Sequence, residues 1–424
     1  MAKIAIKNDR TNPLDISTSN NTVTVYKGAD FDSASYGIKE MIGVVGNDYV
    51  IDGRVSAKGF LDRALDISGT DATVTVGETG VLKSQELAIA SFGDSLDIHN
   101  AGRIEGDEAA IGIAGNGSHL VNEGEIISKV GRAVDTHSIS DFRLDNDGLM
   151  ASELGLRFRV DGLKLDFGRD SVVEFGSAGS IEILSQVGWN TTISNAGEIT
   201  NTKSGMINAI YGGDGSETIR NSGTITGFVW LEDGDDRYDG RGGRIREGTV
   251  NGGDGNDVYF LDDRRDKVHE GVGQGYDQLT VSFSYKLLSH AEFEEVRLAG
   301  SGNHRLTGND MDNYLAGNKG DNRLVGNGGS DNFFGGAGKD VMTGGAGVDD
   351  FYFRANADRE IVTDFTDGVD RIVHFAGKEI TSVDDLLAHH VRQDGDDLII
   401  SGDGTEMILR NVDIANLTAA DFTA

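Results

Sequence analysis

Apolar and polar residues alternate in short runs along most of the chain. In one such run Leu156, Phe158 and Val160 point to one side, while Arg157 and Arg159 point to the other. This period of two residues is typical of a half-buried β-strand. No apolar run approaches the ~18 residues that a membrane-spanning helix needs. The pattern therefore predicts an all-β chain built from many short strands, without a transmembrane segment.

A recurring five-residue turn motif separates these runs. It reads polar-x-Gly-x-aliphatic, where x is any residue. Its clearest copies begin at Asn100, Asn122, Asn146, Asn195 and Asn221. Asparagine tolerates the left-handed backbone conformation and glycine adopts it without steric cost, so the motif suits a tight turn. A unit of roughly 20 residues cannot bury its apolar face alone, but it can when it stacks on its neighbours.

We therefore expect a parallel β-solenoid over residues 46–260. In this arrangement equivalent asparagines lie in one column and hydrogen-bond to each other along the axis. The pattern leaves an alternative open, an antiparallel β-sandwich whose hairpins carry the Asn-Gly turns. The two architectures differ in the direction in which neighbouring strands pair.

A second repeat is nine residues long and runs without interruption from Gly308 to Tyr352. Its five copies begin at Gly308, Gly317, Gly326, Gly335 and Gly344. The clearest copy reads Gly335-Gly-Ala-Gly-Lys-Asp340-Val-Met-Thr. Four isolated copies lie upstream, and their acidic sixth residues are Glu217, Asp236, Asp257 and Asp277.

This G-G-x-G-x-D-x-U-x phrase resembles the calcium-binding repeats of the RTX family of secreted bacterial proteins. The resemblance covers the contiguous block 308–352 and the four isolated copies. It implies a parallel β-roll in which two nonapeptides make one coil, and in which one turn shares an ion with the turn two repeats further on. The sixth residues would then form two columns, with Asn313, Asp331 and Asp349 on one side and Asn322 and Asp340 on the other.

The resemblance implies that the turns bind several Ca²⁺ ions. Calcium takes about six to eight oxygen ligands, and a glycine-rich turn supplies backbone carbonyls beside the carboxylate. In the contiguous block the implied ligand residues are Asn313, Asn322, Gly326, Asp331, Gly335, Gly336, Gly338, Asp340, Gly344, Gly345, Gly347 and Asp349. In the isolated copies they are Asp214, Glu217, Asp236, Gly252, Gly253, Asp254, Gly255, Asp257 and Asp277. Because asparagine is neutral, we expect the sites of Asn313 and Asn322 to be weak or empty.

Composition narrows the possible functions. The 424 residues include 61 glycines, one proline and no cysteine, and their formal charge is −32. The charge argues against a nucleic-acid partner, which needs a basic surface. The lack of cysteine excludes disulfides, thiolate metal sites and a cysteine nucleophile. An acidic excess can serve solubility alone, but part of this one lies at position six of the nonapeptides, where calcium would neutralise it.

The two ends of the sequence bear on export. The first residues contain no apolar run of the kind found in a conventional signal peptide. After the repeats, the pattern predicts a short helix from Ser382 to His390 with Ser382 as its N-cap, and then a hairpin of residues 397–401 and 405–409. This layout is similar to the C-terminal cap and uncleaved signal of type I secretion substrates. The resemblance thus implies export by a type I system to the extracellular space or the cell surface.

The predicted fold class is all-β, a parallel β-solenoid (β-helix) followed by a calcium-binding parallel β-roll and a C-terminal cap. We expect five parts. They are an N-terminal segment (1–45), the solenoid with isolated calcium-binding repeats (46–260), connecting strands (261–305), the RTX β-roll (306–360) and the cap with the secretion signal (361–424).

No catalytic residue is predicted. Two runs of mixed charge, 157–166 and 262–266, contain the residue types of polysaccharide lyases, but such alternation is typical of a solvated strand face. We predict a non-enzymatic, secreted calcium-binding protein of matrix, adhesin or S-layer type. Its expected partners are calcium and either further copies of itself or an extracellular polysaccharide. The alternatives are an extracellular polysaccharide lyase or epimerase on the same scaffold, and a calcium-dependent carbohydrate-binding protein.

Overall fold

The structure is a computed structural model that describes residues 2–59, 62–137, 139–176, 178–201, 208–289, 291–354, 357–374 and 379–423. Contacts divide the chain into two compact units. The first unit comprises Met1–Asp254 and Arg265–Val268, and the second comprises Gly255–Arg264 and His269–Ala424. The predicted five-part division of the chain is finer than this and stays a prediction.

The first unit is a β-solenoid with three faces, and each face is a sheet to which successive coils add one strand. The first face contains Lys3–Ile6, Thr22–Val25, Asp48–Ile51, Thr73–Val76, Asp97–Asn100, His119–Asn122, Arg143–Asn146, Leu163–Phe167, Asn190–Asn195, Ser216–Asn221 and Arg237–Asp239. The second face contains Asp30–Ser33, Arg54–Ala57, Val81–Ser84, Arg103–Gly106, Glu125–Ser128, Leu149–Ser152, Val172–Phe175, Glu198–Asn201, Thr224–Thr226 and Arg244–Arg246. The third face contains Leu14–Ile16, Ile38–Glu40, Arg63–Ile67, Leu87–Ser91, Ala109–Ile113, Arg132–Thr136, Gly155–Phe158, Ser180–Ile183, Asn208–Gly213, Phe228–Glu232 and Val250–Asn251. Ile139–Ser140 and Val160–Asp161 form a separate pair, and Val268–His269 lies at the unit boundary.

Strand direction decides between the two architectures that the pattern left open. The described strand pairs of the first unit are parallel, as in the pairing of Asp97–Asn100 with His119–Asn122. Alternation follows the sequence pattern, because Leu156 and Phe158 are fully buried while Arg157 stays partly exposed. The predicted parallel β-solenoid is confirmed, and the antiparallel sandwich is excluded.

A column of asparagines runs along the interior of the solenoid at the ends of the first-face strands. Asn100 Nδ2 donates to Asn122 Oδ1 at 2.7 Å, and Asn122 Nδ2 donates to Asn146 Oδ1 at 2.6 Å. Asn195 and Asn221 repeat the contact at 2.8 Å. The predicted ladder is therefore present. Each amide offers both a donor and an acceptor, so neighbouring amides of the column can pair with each other. Asn146 Nδ2 then donates to Ser171 Oγ at 2.5 Å.

The second unit contains two sheets, one helix and one 3₁₀ turn within its described residues. The first roll sheet consists of Val258–Leu261, Gln278–Val281, Glu295–Leu298, Tyr314–Ala316, Asn332–Phe334, Asp350–Phe353, Arg371–His374 and Phe422–Thr423. The second roll sheet consists of Tyr285–Lys286, Arg305–Thr307, Arg323–Gly328, Lys339–Ala346, Asp358–Val362, Thr405–Leu409, Asp397–Gly402 and Val391–Asp394. The helix is Val383–His389 and the 3₁₀ turn is Ala419–Asp421.

The core of the roll comes from position eight of each nonapeptide. These residues, all fully buried, are Leu315, Leu324, Phe333, Met342 and Phe351. Phe333 and Phe351 stack with their ring centroids 5.0 Å apart. One large side chain per strand is a thin core, so the turns on either side have to hold the short strands in place.

The C-terminal elements match the sequence pattern closely. Ser382 Oγ accepts the amide hydrogen of Asp385 at 3.1 Å and so caps the helix as expected. Asp397–Gly402 and Thr405–Leu409 form the expected antiparallel hairpin. The second of these strands pairs in parallel with Asp358–Val362 and thereby continues the roll sheet. Across the residues that the structure describes, no helix combines the length and the apolar character needed to cross a bilayer.

The asparagine column yields a first prediction. Asn122→Ala removes the acceptor of the 2.7 Å bond from Asn100, whose Nδ2 keeps only its 3.2 Å bond to the Glu125 carbonyl, and it leaves the buried Oδ1 of Asn146 without its donor. A buried group left unpartnered costs about 1–3 kcal/mol. We expect the free energy of unfolding to fall by at least that amount in urea denaturation at constant calcium. The control is Asn12→Ala, at an exposed position, which should change stability by less than about 0.5 kcal/mol. Equal stability of the two variants would show that the column contributes nothing.

Candidate calcium sites

Parallel stacking places position six of alternate nonapeptides in two columns, with the grouping that the RTX resemblance implies. In one column the Asn313 amide donates to Asp331 Oδ1 at 2.8 Å, and the Asp331 amide donates to Asp349 Oδ1 at 3.0 Å. In the other, the Asn322 amide donates to Asp340 Oδ1 at 2.7 Å. Each carboxylate is thus fixed by the coil that precedes it.

The three aspartates each bury one oxygen that the protein does not satisfy. Asp331, Asp340 and Asp349 are at most 1% exposed. Across the described residues their Oδ2 atoms accept no hydrogen bond. Leaving a buried carboxylate uncompensated costs several kcal/mol, unless the group is protonated or paired with a cation. These oxygens therefore fit a bound calcium ion.

The two asparagines at position six are satisfied without an ion. Asn313 Oδ1 accepts the amide hydrogen of Asn309 at 3.1 Å, and Asn322 Oδ1 accepts that of Asn318 at 2.7 Å. Their side-chain amides donate to backbone carbonyls of the preceding coil. The asparagine side chain therefore satisfies its hydrogen bonds within its own turn and the preceding coil. This supports the prediction that these two positions bind calcium weakly.

The first glycine of a repeat makes room for the sixth residue. A Cβ at Gly326 would lie 2.0 Å from Asp331 Oδ2, and one at Gly344 would lie 2.2 Å from Asp349 Oδ2. Neither position can carry a side chain while the carboxylate stays where it is. The second glycines serve the backbone instead, since Gly336 and Gly345 have φ near +104° and +109°.

The columns extend beyond the contiguous block, in part through two residues that the sequence reasoning missed, Glu294 and Asp370. Upstream, the Asp257 amide donates to Asp277 Oδ1 at 2.9 Å, and the Asp277 amide donates to Glu294 Oε2 at 2.5 Å. Downstream, the Asp349 amide donates to Asp370 Oδ1 at 3.1 Å. The carboxylate column of the first roll sheet therefore begins before the contiguous block, at the predicted Asp257 and Asp277, and ends after it.

Glu360 extends the other column. It lies in register with Asp340 and is 1% exposed. A Cβ at Gly335 would lie 2.3 Å from its Oε2, so this side chain occupies the space that a position-six residue takes in the other repeats. Its Oε2 accepts no hydrogen bond from the described residues. Glu360 therefore adds a second buried carboxylate beside Asp340.

Spacing explains why these residues were missed. Consecutive position-six residues of one column are 18 residues apart, whereas Glu360 follows Asp340 by 20 and Asp370 follows Asp349 by 21. A search at a fixed period of nine fails there. The signal that persists is an acidic residue two positions before a buried apolar residue, as in Glu360 with Val362 and Asp370 with Ile372.

The isolated copies differ from the contiguous block. Glu217 is fully buried, but its carboxylate accepts hydrogen bonds from Ser185 Oγ at 2.9 Å and from the Gly213 amide at 3.4 Å. Its own amide donates to Asp236 Oδ1 at 2.6 Å. Asp214 and Asp254 are exposed at the tips of their turns. Calcium binding at these copies, including the turn from Gly252 to Gly255, stays a prediction.

Burial controls the protonation of the roll carboxylates. It raises the pKa of Asp331 and of Asp340 to about 7, although the hydrogen bonds that these carboxylates accept from the Asn313 and Asn322 amides lower it. It raises the pKa of Asp349 to about 6. Burial and then the charge of Asp340 raise the pKa of Glu360 well above its ordinary value. Protons and calcium therefore compete for the same oxygens near neutral pH.

This competition predicts opposite pH dependences with and without calcium. Without calcium, the folded roll binds more protons than the unfolded chain between about pH 4 and 7, so its stability should fall as the pH rises through that window. Calcium affinity should instead rise with pH and level off above about 7, by roughly tenfold per unit for each ligand carboxylate.

Thermal unfolding in chelator and calcium titration at pH 6 and pH 8 measure the two trends. Asp396→Asn, an exposed control, should leave both unchanged. Two trends of the same sign would contradict the proposed competition.

Comparison with known proteins supports the assignment of the repeats. Residues 307–342 and 325–359 match the RTX calcium-binding nonapeptide repeat (4 copies). A stretch of 175 residues, 41% of the chain, is 39% identical to the endo-1,3-1,4-beta-glycanase ExsH of Rhizobium meliloti (strain 1021), and it spans only 34% of that protein.

Among solved structures, the chain is similar to the extracellular lipase LipA from Serratia marcescens. The similarity covers 60% of this chain and 45% of the lipase at 18% identity, with a TM-score of 0.21. That overlap is too loose to carry a functional argument. The family match, the register of the coils and the buried carboxylates agree on one point, that residues 307–359 are RTX calcium-binding nonapeptide repeats.

Proposed function

We propose that the chain is a secreted structural protein of the cell surface or extracellular matrix whose roll folds on calcium. The observation that carries this proposal is the set of buried Oδ2 atoms of Asp331, Asp340 and Asp349, which accept no hydrogen bond from the described residues. Extracellular calcium modules bind at roughly 10⁻⁴–10⁻³ M. Sites of that affinity stay empty in a calcium-poor cytoplasm and fill outside the cell, which suits export by a type I system before folding.

A basic groove on the first unit supports attachment to an acidic polymer. The groove measures about 690 Å³, and its charged lining residues are Arg244, Arg246, Glu247, Arg265 and Lys267. Asp266 lies between two of these cations but is buried, and its Oδ1 accepts the Ile245 amide hydrogen at 2.9 Å. The chain as a whole has a net charge of −32. The local positive charge of this groove would still attract a polyanion.

Calcium removal tests the structural proposal. In chelator, the roll should become sensitive to protease while the first unit stays resistant, and millimolar calcium should restore resistance and promote self-association in light scattering. Asp331→Asn with Asp349→Asn should weaken the calcium response, because amides at these positions can close their own turns as Asn313 and Asn322 do. The charge-matched control is Asp170→Asn with Asp396→Asn, at exposed positions.

A proteolysis pattern that is the same with and without calcium would refute calcium-dependent folding. A monodisperse monomer in millimolar calcium would refute self-association alone and leave calcium binding intact.

A second candidate function, a polysaccharide-modifying enzyme, is favoured by one feature of the first face. Asp145 and Asp166 lie opposite each other on adjacent strands, which are ~4.8 Å apart in a sheet. Burial disfavours ionisation of Asp145, yet hydrogen bonds from Arg143 and His119 keep its pKa below the ordinary value. Burial and then the charge of Asp145 raise the pKa of Asp166. Two close carboxylates with opposite shifts are the pattern of an acid and base pair.

Neither of the two mixed-charge runs identified in the sequence, 157–166 and 262–266, forms this carboxylate pair by itself. Arg157 lies on the third face and forms two hydrogen bonds with Asp135, at 2.9 and 2.6 Å, whereas Asp166 lies on the first face. The boundary between the two units falls inside the run 262–266. The partner of Asp166 was missed because Asp145 is 21 residues away in sequence, one coil earlier.

Incubation with alginate separates the two functions. A surface protein should bind the polymer without cleaving it, and Arg246→Ala with Lys267→Ala should weaken binding roughly tenfold, whereas Lys27→Ala with Lys319→Ala at exposed sites should not. New reducing or unsaturated ends that vanish in Asp166→Asn would favour the enzyme instead. Alginate binding that is insensitive to both double variants would exclude the basic groove as the attachment surface.

A further inference from the structure

Three carboxylates in the second unit converge outside the contiguous repeats. Asp257, Glu270 and Asp277 come from three separate segments and are 1%, 0% and 0% exposed. One carboxylate oxygen from each lies within 4.8 Å of the others. Glu270 belongs to no nonapeptide, and no periodicity in the sequence indicates it. The fold alone brings it to the other two.

One carboxylate oxygen of Asp277 has no hydrogen-bond partner among the described residues. Its Oδ1 accepts the Asp257 amide hydrogen at 2.9 Å, which holds the carboxylate against that residue. Its Oδ2 is buried and accepts no hydrogen bond from the residues that the structure describes. Nor does any described lysine, arginine or histidine come within ion-pair distance of it. Three like charges this close and this deeply buried are unfavourable unless a cation or protons offset them.

The surroundings hold the cluster in place. Tyr259, itself 1% exposed, donates its hydroxyl hydrogen to Glu270 Oε1. The Tyr259 ring packs edge-on against Phe293, with 5.7 Å between the centroids. The Gly271 amide donates to Gln274 Oε1 at 2.9 Å and closes the loop that follows Glu270. A site whose ligands are already positioned loses little conformational entropy when an ion binds.

We propose that Asp257, Glu270 and Asp277 form a distinct calcium site that binds more tightly than the sites of the roll and fills before them. Affinity for calcium rises with the number of charged ligands, and this cluster offers three carboxylates where a position-six pair offers two. The near-complete burial favours calcium over magnesium, because magnesium retains several of its waters. The proposal is independent of whether the protein is structural or enzymatic.

Terbium replaces calcium at such sites and emits when a nearby tyrosine transfers energy to it. Titration of the calcium-free full chain should show one ion bound in a first phase with Tyr259-sensitised emission, before the phases of the roll. Calcium should displace this ion at concentrations at which magnesium does not. Tyr259→Phe should dim the first-phase emission while calorimetry still detects the bound ion.

Glu270→Gln is the decisive variant, with Glu123→Gln at an exposed position as its charge-matched control. Glu270→Gln should weaken the first phase at least roughly tenfold and leave the later phases unchanged. It should also raise the melting temperature in chelator, because one of three repelling charges is removed.

An unchanged first phase in Glu270→Gln would overturn the site. A lower melting temperature in chelator would do the same, since it would mean that Glu270 serves the fold rather than a metal. Displacement by magnesium as readily as by calcium would overturn the choice of ion.

Discussion

The rest of the structure depends on the stacking of one coil directly on the next through parallel backbone hydrogen bonds. Neighbouring strands lie ~4.8 Å apart in such a sheet, so a residue type that recurs at one position forms a column of near neighbours. Asn100, Asn122 and Asn146 form such a column in the first unit. Asp331 and Asp349 form one in the second. The chemistry of the repeated side chain then decides what the column can do.

A column of asparagines stabilises the fold by its own hydrogen bonds, whereas a column of buried carboxylates needs a counter-ion or bound protons. Asn122, for example, accepts from Asn100 and donates to Asn146. A carboxylate offers only acceptors, and its charge adds to that of its neighbour in the column. On our proposal, the roll therefore depends on calcium, whereas the asparagine column of the first unit needs no metal. Calcium bound in the roll would offset part of the formal charge of −32.

Most of the fold followed from the sequence because stacking makes structure periodic. Alternation gave the strands, the Asn-x-Gly phrase gave the turns, and the nonapeptides gave the two columns of the roll. The residues that were missed lie where periodicity ends. Glu360 and Asp370 follow coils of irregular length, and Glu270 reaches its neighbours from a loop outside the repeats. The pair of Asp145 and Asp166 was missed for a related reason, since its register depends on the length of the coil between them.

The account's central claim is that calcium completes the acidic columns and so holds the roll together. Hydrogen exchange followed by mass spectrometry tests it most directly, because the amides of Asn313, Asn322 and Asp331 donate to the carboxylates of Asp331, Asp340 and Asp349. In chelator, these amides should lose protection while those of the asparagine column in the first unit keep theirs, and millimolar calcium should restore it. Equal protection of the roll with and without calcium would contradict the account.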